Sequence, residues 1–259
     1  MNDSSLTVGR QSFWGILSSD WFRFQTRHYS LKDFGRIGKW PNVEIIIYQE
    51  DVARSLKRSV RWQAYADLKI YPQDAYSHIF GLTFLAFELL NKMNGSVKPP
   101  IDKELIMKIC MTHNISLGLG LSDLAYADKN ITRDLEEYFC YQEFIAKLYD
   151  PEEKILVEKI YLLQFCLGEI DQFPPEAQII MQELKKEYWQ EALLFRFLEE
   201  FDYLLYAEEQ YVRFGVINLL EKMVTVHLPI INNLVEQLPY LERVWTQTAN
   251  DYFSQFISA

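Results

Sequence analysis

From residue 74 onward, apolar positions recur at helical spacing. Phe80, Phe84, Phe87 and Leu90 form one such stripe, which Asn94-Gly95 and Pro99-Pro100 bring to an end. Asp102 opens a second helix carried by Ile106, Ile109 and Cys110. Residues 114–130 include Gly118 and Gly120 and read as a loop or a broken helix. Helical patterns return over 134–148, 151–166 and 175 to about 224, the last with a break near Gly215. A final amphipathic helix is predicted from Pro229 to Phe256. Ahead of all these, residues 51–70 predict a helix with Arg54, Arg58 and Arg61 along one face. Residues 1–45 carry many aromatics (Phe13, Trp14, Trp21, Phe22, Phe24) without a sustained period. The run 43–48 fits either a short strand or the start of a helix.

The pattern predicts an all-α protein. Nine Pro and ten Gly in 259 residues are too few for many short strands joined by tight turns. Hydrophobic residues make up 49% of the chain, enough for a large core. Three sections are expected: an N-terminal extension over 1–60, a helical domain over 61–224, and a C-terminal helix over 225–259 packed on that bundle.

Charge narrows the range of partners. The net charge of −10 argues against general nucleic-acid binding, which needs clustered Lys and Arg. Residues 1–70 carry 11 basic and 7 acidic side chains (+4), whereas residues 71–259 carry 15 and 29 (−14). Anion contacts are thus expected in the first quarter. Cys110, Cys140 and Cys166 stand far apart in apolar helical surroundings, as buried free thiols do in a reducing compartment. Asp3, Arg10 and Asp20 interrupt any apolar leader, and no apolar run is long enough to span a membrane. A cytoplasmic location is the expectation, and apolar-rich helices make a homodimer plausible.

The chain has four histidines, His28, His78, His113 and His227. None has Glu three places before it, which excludes a helical di-iron site of the Glu-x-x-His kind, and H-E-x-x-H is absent as well. His78 opens one amphipathic helix and His113 ends another, followed by Asn114. Asp202 lies among Leu194, Phe197, Phe201 and Leu205, where an ionised carboxylate is costly unless a cation or strong donors neutralise it. Two imidazoles and a carboxylate from separate helices suit a transition metal.

The order and spacing of these residues resemble the HD-domain phosphohydrolases, in particular their 5′-deoxynucleotidase branch. Arg61-Trp62 precedes Tyr76-Ser77-His78, His113 follows 35 residues later, and Asp202 stands in a late apolar helix. The resemblance spans roughly 150 of the 259 residues, from Arg61 to about Tyr211. It implies a helical bundle holding a divalent metal ion on His78, His113, Asn114 and Asp202. It further implies hydrolysis of a nucleotide or related phosphate ester, with Arg61 on the phosphate, Trp62 beside sugar or base, and Asp123 as the acidic residue that manages the proton.

The chain departs from that pattern where the chemistry is done. The family's His-Asp pair is His113-Asn114 here, and its acidic residue three places later is Leu117. Asp123 falls one place beyond the usual Gly-Asp. Losing a positioned acid or base lowers a rate by about 10²–10⁴. Three readings follow: a phosphohydrolase of reduced activity, a catalytically inactive scaffold that binds a nucleotide or a protein, and an unrelated helical interaction protein. Glu136, Glu137, Glu199 or Asp128 could complete a rearranged site. Separation of His78, His113 and Asp202 by more than about 10 Å would favour the third reading, because metal–ligand bonds are only ~2 Å long.

Overall fold

Short polar residues set where the helices begin. Asp74 caps α2 (Ala75–Lys92) by accepting from Ser77 N at 2.8 Å, and Asp102 caps α3 (Lys103–Thr112) by accepting from Leu105 N at 3.0 Å. Asn130 does the same for α5 (Ile131–Ile145), and Asp150, followed by Pro151, for α6 (Pro151–Leu162). This computed structural model describes residues 40, 41, 43, 46, 47, 49–93, 100–124 and 130–257. The remaining helices are α1 (Glu50–Arg58), the single turn α4 (Ile115–Gly118), α7 (Pro175–Glu187), α8 (Trp189–Phe214), α9 (Ile217–Gln237) and α10 (Gln247–Ser254). Among the described residues there is no strand, only an isolated bridge between Val60 and Asp74. The all-α expectation is met. Among the described residues no helix is long and apolar enough to cross a membrane.

Helix α8 runs through the middle. Its 26 residues pack against α2, α3, α7 and, most extensively, α9, and they bury Leu194, Phe197, Leu198, Phe201 and Leu204 completely. Gly215 ends it in the left-handed region (φ 71°), with its N–H on Tyr211 O at 2.9 Å. The break near Gly215 was legible, but the one at Tyr188, which separates α7 from α8, was not.

Several expected boundaries are corrected. Pro229 does not start a helix: it lies inside α9, which passes through the expected boundary at 224/225, and the chain then turns through Pro239–Arg243 before α10. The helix expected over 51–70 ends at Arg58, so Arg61 leaves the face of Arg54 and Arg58 and is buried. Gln63–Leu68 is a 3-10 segment. On α2 the core face is Ile79, Leu82, Ala86 and Leu89, while Phe80, Phe84 and Phe87 are only half-buried. A Phe stripe and a Leu/Ile stripe wind along the same helix, and periodicity alone favoured the larger rings. Of the run 43–48, Ile46 and Ile47 are helical and buried. The expectations for residues 1–39 lie outside the described residues.

Cys110 and Cys166 are buried and Cys140 is half-buried, all as free thiols. Burial pushes the Cys166 thiol up to about 12.

Helix α4 sits directly against α1 because residue 118 has no side chain. A Cβ on Gly118 would stand 2.8 Å from Leu56 Cγ and 3.0 Å from Val52 Cγ1. Gly118→Ala is expected to destabilise the fold by about 1–3 kcal/mol through overpacking, measured by denaturant unfolding. Unchanged stability would show that α1 and α4 are not held this closely.

Candidate functional site

The loop between α1 and α2 carries Arg61 and Trp62 to the middle of α8. Arg61 N donates to Gln73 O at 2.8 Å and Ala75 N to Ser59 O at 2.9 Å, closing the loop on itself. Tyr206 of α8 donates its hydroxyl to Tyr71 O at 2.5 Å, and Tyr71 N donates to Gln210 Oε1 at 2.8 Å. Both contacts clamp the loop to α8. Trp62 sits in the left-handed region (φ 69°), which a Trp rarely adopts. Asp123 holds it there by accepting from Trp62 N at 3.0 Å.

Three helices converge beside this loop. His78 stands in the first turn of α2, His113 caps the end of α3, Asn114 precedes α4, and Asp202 projects from α8. His78 Nε2 and His113 Nε2 are 3.0 Å apart, and His78 Nδ1 lies 3.0 Å from Asp202 Oδ2. Residues 35 and 124 positions apart (78 to 113, and 78 to 202) are brought into contact. The separation that would have favoured an unrelated interaction protein is not found.

The hydrogens can be assigned from the partners. His113 Nδ1 lies 2.9 Å from Cys110 O, which can only accept, so Nδ1 carries a hydrogen. In the neutral ring Nε2 then offers a lone pair, met by Asn114 Nδ2 at 2.7 Å and by His78 Nε2. His78 must donate from Nε2. A neutral His78 would then turn a second lone pair toward Asp202, a contact that is close but lacks the alignment of a hydrogen bond. Burial pushes the Asp202 carboxyl up to about 6, against the opposing pull of Arg61 and His113.

A divalent ion, which the resemblance implies, suits this arrangement less well. Two Nε2 atoms at 3.0 Å could share an ion, since ligands ~2.1 Å from a metal stand about that far apart. Asn114, however, turns its amide nitrogen to the pair, and Asp202 faces the opposite edge of His78. Among the described residues no three His, Cys, Asp or Glu side chains are arranged to hold a metal. Charge points the same way. Arg61 already offsets Asp202, so a divalent ion would leave two buried positive charges uncompensated. The donor set fits a shared proton better than a metal ion.

The other expected residues find different surroundings. Asp123 is engaged by the Trp62 backbone. Leu117 is a core residue, 3% exposed. Glu136 pairs with Arg133 at the surface, and Glu137 binds Arg133 from a buried position. Glu137 and Glu199 line a cavity of about 520 Å³ together with Asp134, Glu169, Arg196 and Tyr203. Asp128 lies outside the described residues. The sequence reading passed over a buried ion cluster: Glu200 accepts from His227 Nδ1 and pairs with Arg196 at 2.5 Å, and His227 stacks on Tyr203 at 4.6 Å. His227 within an apolar run was the available signal. The chain matches no known protein-family model, no curated protein and no solved structure.

The raised Asp202 carboxyl predicts how stability varies with pH. Held at about 6 in the folded state against 3.8, the group keeps its proton in the fold over a range where the unfolded chain releases it. Folding is favoured at low pH, and that advantage fades as pH rises through 6. A difference of this size corresponds to about 3 kcal/mol. Asp202→Asn should gain roughly that much relative to the parent chain between pH 3.5 and pH 7, read by urea denaturation. A constant difference across that range would contradict the assignment.

Proposed function

We propose that this chain is an HD-like helical scaffold that has lost metal-dependent hydrolysis and binds a small phosphate-bearing ligand at its central charge cluster. The order Arg61-Trp62, His78, His113-Asn114, Asp202 supports the relationship, and so does the convergence of these residues from α2, α3 and α8. Asn114 and Leu117 support the loss of chemistry. One withdraws a carboxylate from beside His113, and the other puts a core side chain where an acid would position water.

The observation that carries the binding reading is Arg61. It is 4% exposed, and its Nε and Nη1 meet no acceptor among the described residues. A buried guanidinium with unanswered N–H groups is costly, and an oxyanion is the ligand that completes it. Below about pH 6, where Asp202 keeps its proton, that carboxyl does not oppose such an ion. A second reading, metal-dependent hydrolysis of a nucleotide or phosphate ester, has one favourable observation, the 3.0 Å spacing of the two Nε2 atoms.

The two readings separate cleanly. With Mg²⁺, Mn²⁺ or Co²⁺ present, the chain is expected to release no phosphate from a panel of deoxynucleoside monophosphates. Turnover near 1 s⁻¹ or faster, an ordinary enzymatic rate of order 1–10³ s⁻¹, would overturn the proposal. Asn114→Asp returns the missing carboxylate and should raise Co²⁺ affinity at least about tenfold, or ~1.4 kcal/mol, by calorimetry. Restoring an acid at Leu117 is the poorer test, since that side chain belongs to the core.

A further inference from the structure

A nucleoside needs room and a flat surface for its base. Trp62, placed by the resemblance beside sugar or base, has no face left to offer. Its ring stacks on Tyr206 with centroids 4.3 Å apart and planes 13° apart, and it meets the Tyr203 ring edge-on at 5.4 Å. The Arg61 guanidinium lies 5.9 Å from it, the indole N–H points at Gln73 Oε1 3.4 Å away, and only 5% of the residue is exposed. The ring cannot swing aside without giving up its stack on Tyr206 and its contact to Gln73.

The space next to it is small. Arg61, Trp62, Tyr65, Asp123, Tyr203 and Met223 border a void of about 20 Å³, against roughly 300–1,000 Å³ for sites that enclose drug-sized ligands. A void of that size holds about one water-sized group, enough for one oxygen of an anion and far too little for a ribose and a base. The larger cavity near Tyr203 sets Asp134, Glu137, Glu169 and Glu199 against the cation Arg196, an acidic excess that disfavours a phosphate.

Building on the phosphate-binding reading above, we infer that Arg61 recognises a small oxyanion without a nucleobase, and that Trp62, held by its stack on Tyr206, excludes nucleosides. Inorganic phosphate is the simplest probe of that class. The chain should bind inorganic phosphate, and deoxyadenosine monophosphate at least about tenfold more weakly, since the nucleoside has no room beside Trp62. Phosphate binding should weaken at least about tenfold in Arg61→Gln, with folding checked by circular dichroism. Trp62→Gly, which suits the left-handed backbone and vacates the ring's place, should shift preference toward the nucleotide.

Calorimetry with the two probes distinguishes the failures. If the nucleotide binds as tightly as phosphate or more tightly, and does so through Arg61, the nucleoside is being accommodated. The exclusion is then wrong, while the binding reading stands. If neither probe binds, or if Arg61→Gln leaves both unchanged, the inference and the reading on which it rests fall together.

Discussion

A single nitrogen–nitrogen contact governs the centre of this molecule. His78 Nε2 and His113 Nε2 face each other at 3.0 Å inside the protein, where two lone pairs would repel. Something positive must stand between them. His113 is fixed in one tautomer by the Cys110 carbonyl, and His78 has Asp202 on its other edge. The hydrogen on His78 Nε2 keeps the contact, and burial raises the Asp202 carboxyl on the other edge of that ring to about 6. The helices inherit the constraint, since α2, α3 and α8 each supply one of the three groups.

The resemblance to a metal-dependent phosphohydrolase and the reading of a non-hydrolytic centre rest on the same atoms. A metal site of that kind concentrates negative charge around the ion. Here Asn114 is neutral, Leu117 is apolar, Asp123 is committed to the Trp62 backbone, and Arg61 brings a positive charge to the one remaining carboxylate. On the proposed reading, the geometry of a ligand set has outlasted its charge. A proton, and an oxyanion on Arg61, satisfy what remains with less uncompensated charge than a divalent ion would.

Much of this was legible in the sequence, for identifiable reasons. The helix start at Asp102 was readable because a capping side chain is a local signal, and Gly215 marked a helix end because glycine suits a left-handed backbone. His78, His113 and Asp202 were picked out by order and spacing, and they do meet. Tertiary context decided the rest. Arg61 looked like part of a helical arginine face, but the chain bends after Arg58 and buries it. Pro229 looked like a helix start and is carried within α9, whose apolar face is held by α8. Which of Glu199, Glu200 and Asp202 would be buried depended on what packs around α8. Glu200 proved the most enclosed, held by His227 and Arg196. A protein can bury a carboxylate there only because two basic side chains meet it.

The most direct test of the account is the metal content of the intact chain. Protein purified without chelator from medium supplemented with manganese, iron, cobalt and zinc should carry far less than one ion per chain by elemental analysis. That content should not change in His113→Ala. One tightly held ion per chain, lost in His113→Ala, would contradict the account, because the space between the two imidazoles would then belong to a metal.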